Sequence, residues 1–478
     1  MRIAMVASEA NPLCKTGGLA DVIWSLSREL NKLGHEAFIV LPYYRAIQAH
    51  EDLNPTFLGE YEVRLSWRRQ VAEVYLAEVQ GVKFYLIGNE YYFDRDSLYG
   101  YDDDGERFAF YCLAVRDLFV KFNVHCDVIH IHDWQVGMLP VLVREQSAQE
   151  KAFQGTKFVM TLHNEAFKGY LDRYFLGHFF GLEDRIYDNG AVRFDGMVST
   201  LKAGIVYCDK VVAVSPNHAK ELLTPGDSMR LYGVLELRKA DFTGIVNGVD
   251  EEEFDPKKDP LIATHFSATK YAEGKAACRE KLLDTMGLDH DDAPVFGLVT
   301  RLTWQKGIDL IIGYGEDLVR KGGKLAALGS GERDLEERLE ALHARYPSRV
   351  AIYRGYSNQL AHDIYAGSDF FLMPSLFEPC GIGQMIAQRY GTLPIARRVG
   401  GLADTIEAYD GKNDKTANGF LFNDYCVEGL GWACDQAMEV YADKKKLHKL
   451  LVNAIKTDHS WRRSAELYLG IYQEIVAR

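Results

Sequence analysis

The chain has 478 residues, 47% hydrophobic and 26% charged, a globular make-up too long for one ordinary core and pointing to two or three domains. A formal net charge of −13 argues against a general affinity for nucleic acid or an anionic membrane, because like charges repel, though it allows a local basic pocket. The eight cysteines are scattered with no CxxC pair, which favours reduced thiols in a cytoplasm over a disulfide framework or structural zinc.

In chain order, RIAMVAS reads as a buried strand. Its apolar run is too short for a signal peptide, and no uninterrupted apolar stretch is long enough to span a bilayer. KTGGLADV follows, and Leu19, Val22, Ile23, Leu26 and Leu30 then fall on one helix face. Lys15, Gly17 and Gly18 therefore sit where a strand turns into a helix. Free N–H groups, a partial positive charge and a full cation there suit a nucleotide phosphate, although the Walker spacing is absent and a Gly-rich turn can be purely structural. EAFIVLPYY, DVIHIHD, KFVMTLHN and KVVAVSP read as further buried strands. DVIHIHD ends in His130, His132, Asp133 and Trp134, and KFVMTLHN in His163 and Asn164. Residues two apart share a strand face, so His130, His132, Asp133 and His163 invite a metal-site reading. Against it stands a sugar pocket lined by Asp133 and His163, with Trp134 or a nearby tyrosine as a stacking face.

GIVNGVDEEEFDPKKDP reads as a linker near residues 248–260. Beyond it PVFGLVTRL, KLAALGSG, RVAIYRGY, FFLMPSL and TLPIARRVGG repeat the strand pattern. Arg301 and Lys306 fall at the mouth of a helix, where two cations five apart can grip adjacent phosphates or simply face solvent. LGSGERDLEERL is a Gly turn into a helix without a full GxGxxG, and takes no specific role. In MPSLFEPCGIGQMIAQRYG, Glu378 stands just ahead of Gly381 and Gly383, which open a helix; the carboxylate could meet sugar hydroxyls or merely favour the helix dipole. Cys380 reads as a small packing residue. The tail from Trp461 has a helical pattern in which Trp461, Leu467, Ile471 and Ile475 could share a face. Strand–helix alternation in both halves predicts an α/β protein of two doubly wound domains, 1–248 and 249–460, with a tail helix 461–478 returning to the first domain and ligands at the carboxyl ends of the strands.

Eight segments in this order, KTGGLADV, HDWQVGMLP, TLHNEAFKG, LKAGIVYCDKVVAVSP, GIVNGVD, TRLTWQKGIDL, HDIYAGSDFFLMPSLFEPCG and RYGTLPIARRVGGLADT, resemble the bacterial glycogen synthases and plant starch synthases. These are retaining glucosyltransferases of the GT-B fold, two Rossmann-like domains facing a cleft. The resemblance implies transfer of glucose from ADP-glucose to the 4-hydroxyl at the end of an α-1,4-glucan such as glycogen, with no cofactor, metal, nucleic-acid or membrane partner. It implies donor contacts from Lys15, Gly17 and Gly18, a diphosphate grip by Arg301, Lys306 and the backbone of Gly381, Ile382 and Gly383, and base stacking by Tyr356. Glu378, His163 and Asn247 would hold the glucose, with Asp133 and Asn164 lining the pocket and Tyr99 on the acceptor side.

Two cations aimed at the departing phosphate, and the lack of an evident carboxylate pair around the anomeric carbon, favour an ion-pair mechanism on one face. The chain departs from the family at Gly383, where a hydroxyl or amide side chain is usual, at Phe254, where Trp is frequent, in HNEAFKGY, and at Ile386, where some relatives carry a second Glu. The competing readings are a GT-B enzyme using UDP-glucose or a small acceptor, a metal-dependent hydrolase, and a glucan-binding protein without activity.

Overall fold

The computed structural model describes residues 1–226 and 230–478. It divides into two compact units, Met1–Ile245 with Trp461–Arg478, and Val246–Ser460.

The first unit is built on β1 (Arg2–Val6), β2 (Glu36–Pro42), β3 (Thr56–Leu65), β4 (Arg68–Val79), β5 (Val82–Gly88), β6 (Val128–His132) and β7 (Lys157–Leu162). A small antiparallel sheet of β8 (Tyr170–Leu171), β9 (Arg193–Phe194) and β10 (Met197–Ser199) follows, then β11 (Lys210–Ala213) and β12 (Phe242–Gly244). The nine-stranded main sheet has the order β12-β11-β7-β6-β1-β2-β5-β4-β3 and is parallel except for β4, which runs antiparallel to both neighbours. Its central strands are apolar on both faces because helices cover both; Ile3 to Val6 are fully buried. Residues 56–88 form an edge the apolar-run reading passes over, since β3 alternates buried Tyr61, Val63 and Leu65 with exposed Glu62 and Arg64.

The helix Gly18–Lys32 buries Leu19, Val22, Ile23, Leu26 and Leu30, and the helix Trp461–Ala477 packs beside it. In the tail helix the expectation for Leu467 fails: it is 53% exposed, and the buried face runs through Trp461, Ala465, Tyr468, Ile471, Tyr472 and Ile475. Steps of three and four from Trp461 reach Tyr468 and Tyr472, and Leu467 lies off that stripe. Each large side chain so buried stabilises by about 1.5–3 kcal/mol, so this face, more than any cap, secures the tail to the unit.

The second unit holds six parallel strands, β13 (Val295–Val299), β14 (Lys324–Gly329), β15 (Val350–Arg354), β16 (Phe370–Met373), β17 (Leu393–Arg397) and β18 (Phe420–Phe422), in the order β15-β14-β13-β16-β17-β18. The segment 248–260 is built into this unit. Buried Asp259 accepts from Tyr390 Oη at 2.5 Å and pairs with His362 Nδ1 at 2.7 Å, while Arg389 Nε donates to the Phe254 carbonyl at 2.7 Å. Phe254 stacks on His362 with ring centroids 4.9 Å apart, a packing role.

Leaving aside the β5-β4-β3 antiparallel edge, each sheet has one place where the order of its parallel strands reverses. In the first it lies between β1 and β6, in the second between β13 and β16. Connections leave such neighbouring strands to opposite faces and open a crevice at their carboxyl ends, the usual ligand site of doubly wound sheets. The eight cysteines are free thiols, seven of them buried, and no helix among the described residues is long and apolar enough to cross a membrane.

Candidate active site

In the first unit, the loop after β1 is organised by Glu9. Its buried carboxylate accepts from the Thr16 backbone N–H and from Thr16 Oγ at 2.8 Å, and Thr16 Oγ lies 3.0 Å from Tyr99 Oη. Burial pushes the Glu9 carboxyl above its ordinary value. Lys15 Nζ lies 2.8 and 2.7 Å from the two oxygens of Asp21 in the first helical turn. Both partners are solvent-accessible, so the pair contributes only about 0–1 kcal/mol and does little to hold Lys15 in place. Gly17, at the helix N-cap, has φ −152°, extended backbone open to any residue, and a Cβ there would come no nearer than 3.8 Å to Glu9 Oε1. Neither conformation nor packing requires glycine at this position.

Across the crevice, Asp133 ends β6 with φ 60° and ψ −171°, a region that costs a non-glycine residue about 1–3 kcal/mol. Its Oδ1 accepts from the His163 N–H at 2.7 Å and the Asn164 N–H at 3.4 Å. Burial pushes this carboxyl up to about 7, against the pull of those two N–H groups, and the charges of Glu165 and Glu9 act in the same direction as burial. The Glu9 charge thus links the Lys15 loop electrostatically to Asp133. His163 ends β7, and its Nε2 lies 3.0 Å from His132 Nδ1; burial lowers His163 to about 4. Its loop is anchored by buried Glu165, whose Oε1 lies 3.1 Å from His218 Nε2. Burial opposes the charge on His218, but Glu165 and then Glu221 overcome it and push the imidazole up to about 10. Trp134 is half-buried, edge-on to Phe108 at 5.4 Å and against Gly169, which limits it as a stacking face.

The metal reading meets a specific obstacle. His130 spends both nitrogens within the protein, Nδ1 at 2.7 Å from Tyr472 Oη and Nε2 at 2.7 Å from Thr161 Oγ1. No three His, Cys, Asp or Glu among the described residues are grouped as metal ligands would be.

In the second unit, β13 leads through exposed Arg301 and the turn Trp304–Lys306 into the helix Ile308–Arg320. Lys306 Nζ lies 2.5 Å from Glu378 Oε2, which also accepts from Ser375 Oγ at 3.1 Å. The two loops are joined by Leu376 N–H to the Gln305 carbonyl at 2.8 Å, and they approach closely at Gly307. Gly307 has φ 70°, and a Cβ there would fall 2.1 Å from the Pro374 carbonyl oxygen. Gly381 turns the chain at φ 72°, and Gly383 opens the helix Gly383–Arg389, whose first N–H groups have no intrahelical acceptor. Gln384 Nε2 ties this turn from behind, donating to the Cys380 and Gly381 carbonyls and to Thr405 Oγ1. Cys380 is buried, its thiol pushed up to about 12, with the Asn247 N–H directed at it. Asn247 is itself buried, and its Oδ1 has no partner among the described residues. Tyr356, after β15, is 78% exposed, its Oη donating to Asn358 Oδ1 at 3.2 Å.

Most of the expected residues lie in loops that follow strands near the reversal point of each sheet. Lys15, Gly17 and Gly18 follow β1, Asp133 follows β6, and His163 and Asn164 follow β7, while Tyr99, from the segment after β5, reaches Thr16 Oγ1. Arg301 and Lys306 stand with Glu378 and Gly381–Gly383 after β13 and β16, beside Asn247.

Residues 2–237 match the family model described as the starch synthase catalytic domain, and residues 287–457 match glycosyl transferases group 1. The chain is 41% identical over 477 residues to the glycogen synthase of Clostridium kluyveri, covering the whole of both, and 40% identical to that of Anoxybacillus flavithermus, covering 100% of this chain and 98% of that one. The chain belongs to the glycogen and starch synthase family. Among solved structures, the catalytic domain of starch synthase IV from Arabidopsis thaliana, bound to ADP and acarbose, matches with a TM-score of 0.92 at 30% identity, over 100% of this chain and 99% of that one. Sucrose-phosphate synthase from Thermosynechococcus elongatus, at 16% identity and a TM-score of 0.62, shares the fold. The fold class is GT-B, and the protein is a glycosyltransferase.

Gly400 and Gly401 stand directly behind the turn that carries Glu378, although no local pattern marks them. A Cβ on Gly400, where φ is 44°, would lie 1.8 Å from the Glu378 carbonyl oxygen, and one on Gly401 would lie 2.1 Å from that of Cys380. This pair lets the helix Gly400–Thr405 press directly behind the Glu378–Cys380 turn. Gly400→Ala is expected to lower stability by about 2 kcal/mol or more and to raise the KM of the sugar donor by displacing Glu378. Gly411→Ala, at φ 90° with open space around it, serves as the control and should leave donor KM unchanged.

Proposed function

We propose that this glycosyltransferase elongates glycogen in the cytoplasm, moving glucose from ADP-glucose to the terminal 4-hydroxyl of an α-1,4-glucan with retention of configuration. The observation that carries the reading is the Lys306–Glu378 pair, joined at 2.5 Å on the reversal point of the second sheet beside the Gly381–Gly383 helix start. An ammonium has three donors, so Lys306 can keep one on Glu378 and turn the others to a phosphate oxygen.

In this reading the second unit grips the donor. Arg301, Lys306 and the N–H groups of Gly381, Ile382 and Gly383 take up the charge that develops on the leaving phosphate, each well-placed donor being worth about 2.7–4 kcal/mol. Glu378 and Asn247 orient the glucose, and Tyr356 stacks on the base. In the first unit Lys15, with Gly17 and Gly18, meets a donor phosphate; the absence of any local need for glycine at 17 supports a close approach there. His163 touches the donor sugar, while Asp133, Asn164 and Tyr99 line the acceptor side. The C1–O bond breaks with its electron pair going to the phosphate. The acceptor oxygen then attacks from the same face, and its proton passes to the departing phosphate oxygen. No metal and no cofactor enters this scheme.

Two measurements test it. Turnover with ADP-glucose should exceed that with UDP-glucose on a glycogen primer, and the added residues should be α-linked. A clear preference for UDP-glucose or a β-linked product would refute the reading. Tyr356→Ala should raise donor KM about tenfold with little change in kcat, the loss of one stacked base, read from initial rates.

A further inference from the structure

We propose that His132 is a positioning residue that fixes the tautomer of His163, so that His163 presents a proton on Nδ1 and serves as a hydrogen-bond donor, not as a base. The inference deepens the reading above, since it rests on His163 meeting the donor sugar; the tautomer itself is independent of turnover.

The argument starts from an unpartnered atom. His132 is fully buried, and its Nε2 has no hydrogen-bond partner among the described residues. Its Nδ1 lies 3.0 Å from His163 Nε2, so one ring must donate to the other. If His132 carried its proton on Nε2, an N–H would be buried with no acceptor; orphaned buried N–H groups are rarer than under-used acceptors. With the proton on Nδ1, His132 donates to His163 Nε2 and only a lone pair is left unused. His163 Nε2 is then the acceptor, and the neutral ring must hold its own proton on Nδ1. Burial lowers His130 and His132 well below the usual imidazole value, and His163 to about 4, so all three rings are neutral near pH 7.

The relay is held rigidly from beneath. The His132 ring lies against that of His130, centroids 4.0 Å apart, and His130 is clamped by Tyr472 of the tail helix and by Thr161 of β7. Tyr468 Oη, one turn back on the same helix, reaches Thr161 Oγ1 at 3.3 Å. With no lone pair on its remaining nitrogen, His163 can bind a sugar or phosphate oxygen but cannot take the proton of the acceptor hydroxyl.

The test uses the full chain, labelled with a magnetic nitrogen isotope in both histidine ring positions, in long-range proton–nitrogen NMR near pH 7. His163→Gln and His132→Asn assign the two rings. Wild type should show, for both residues, a protonated Nδ1 and a bare Nε2; a His163 ring protonated on Nε2 or on both nitrogens would overturn the proposal. His132→Leu should mix the His163 tautomers and lower kcat about tenfold, the loss of one hydrogen bond. His132→Asn, whose amide reaches the Nδ1 position, should restore the single tautomer and most of kcat. A Leu variant keeping both the wild-type spectrum and kcat would also overturn it, and if that variant fails to fold, the wild-type spectrum decides alone. The expected spectrum without glucosyl transfer would sink the proposed function and leave the tautomer assignment standing.

Discussion

Lys306→Ala is expected to lower kcat/KM for ADP-glucose by about two to three orders of magnitude, the range found when one donor to a developing oxyanion is removed. Lys306 is well placed for such a loss because its side chain is held before substrate arrives: Nζ is fixed on Glu378, and the turn carrying it is tied to the neighbouring loop through Gln305 and Leu376. Preorganisation of this kind lets a charge act without reorganising at the moment of reaction. The same substitution leaves the Glu378 carboxylate nearly buried with Ser375 Oγ as its remaining side-chain donor, so unfolding free energy should fall by about 3 kcal/mol. Glu378→Gln separates the two effects. It removes the charge, keeps the shape and should lower kcat far more than it lowers the thermal midpoint. Steady-state kinetics and calorimetry on both variants check this, and wild-type kinetics in both would show the donor grip to be misplaced.

Asp133→Asn is expected to abolish most activity while stabilising the protein above neutral pH. The sign follows from burial, which raises the folded-state carboxyl to about 7 from the ordinary aspartate value of about 3.9. Between those values the unfolded chain ionises Asp133 and the folded one does not, so folding stability contributed by this group falls as pH rises. Below pH 4 the contribution is unaffected, and above pH 7 the full penalty is present. At about 1.4 kcal/mol per pH unit the penalty reaches about 4 kcal/mol as an upper value. Asn keeps an oxygen for the His163 N–H and shares the backbone conformation, so the comparison isolates the charge. Denaturant unfolding of both proteins at pH 4 and pH 8 should give similar stabilities at the lower value and a more stable variant at the higher. A variant less stable at pH 8 would mean that the Asp133 charge is well satisfied in the fold.

Much of this architecture was legible in the chain because buried parallel strands are continuous apolar runs, as in RIAMVAS or FFLMPSL, and need no knowledge of their partners. The edge formed by residues 56–88 was not, because a half-exposed antiparallel strand alternates and gives no such run. Leu467 was misplaced for a related reason: leucine looks like core, but the tail helix buries Tyr468 and Tyr472, whose hydroxyls have partners waiting on Thr161 and His130. The local pattern singles out Lys306 and Glu378 separately, at two helix starts, but their ion pair spans 72 residues that no local pattern connects. The contacts that shape the groups, Gly400 behind Glu378, His218 on Glu165 and His132 on His163, are likewise relations between distant residues. Residue type announces them weakly, and a single glycine or histidine gives no hint of what it touches.

The most direct measurement is ADP release from ADP-glucose by the purified chain, with and without added glycogen, alongside the length of the glucan chains recovered. ADP release that depends on glycogen and matches the glucose added to its chain ends is the predicted result. ADP released equally without glycogen, or none released in its presence, would contradict the account.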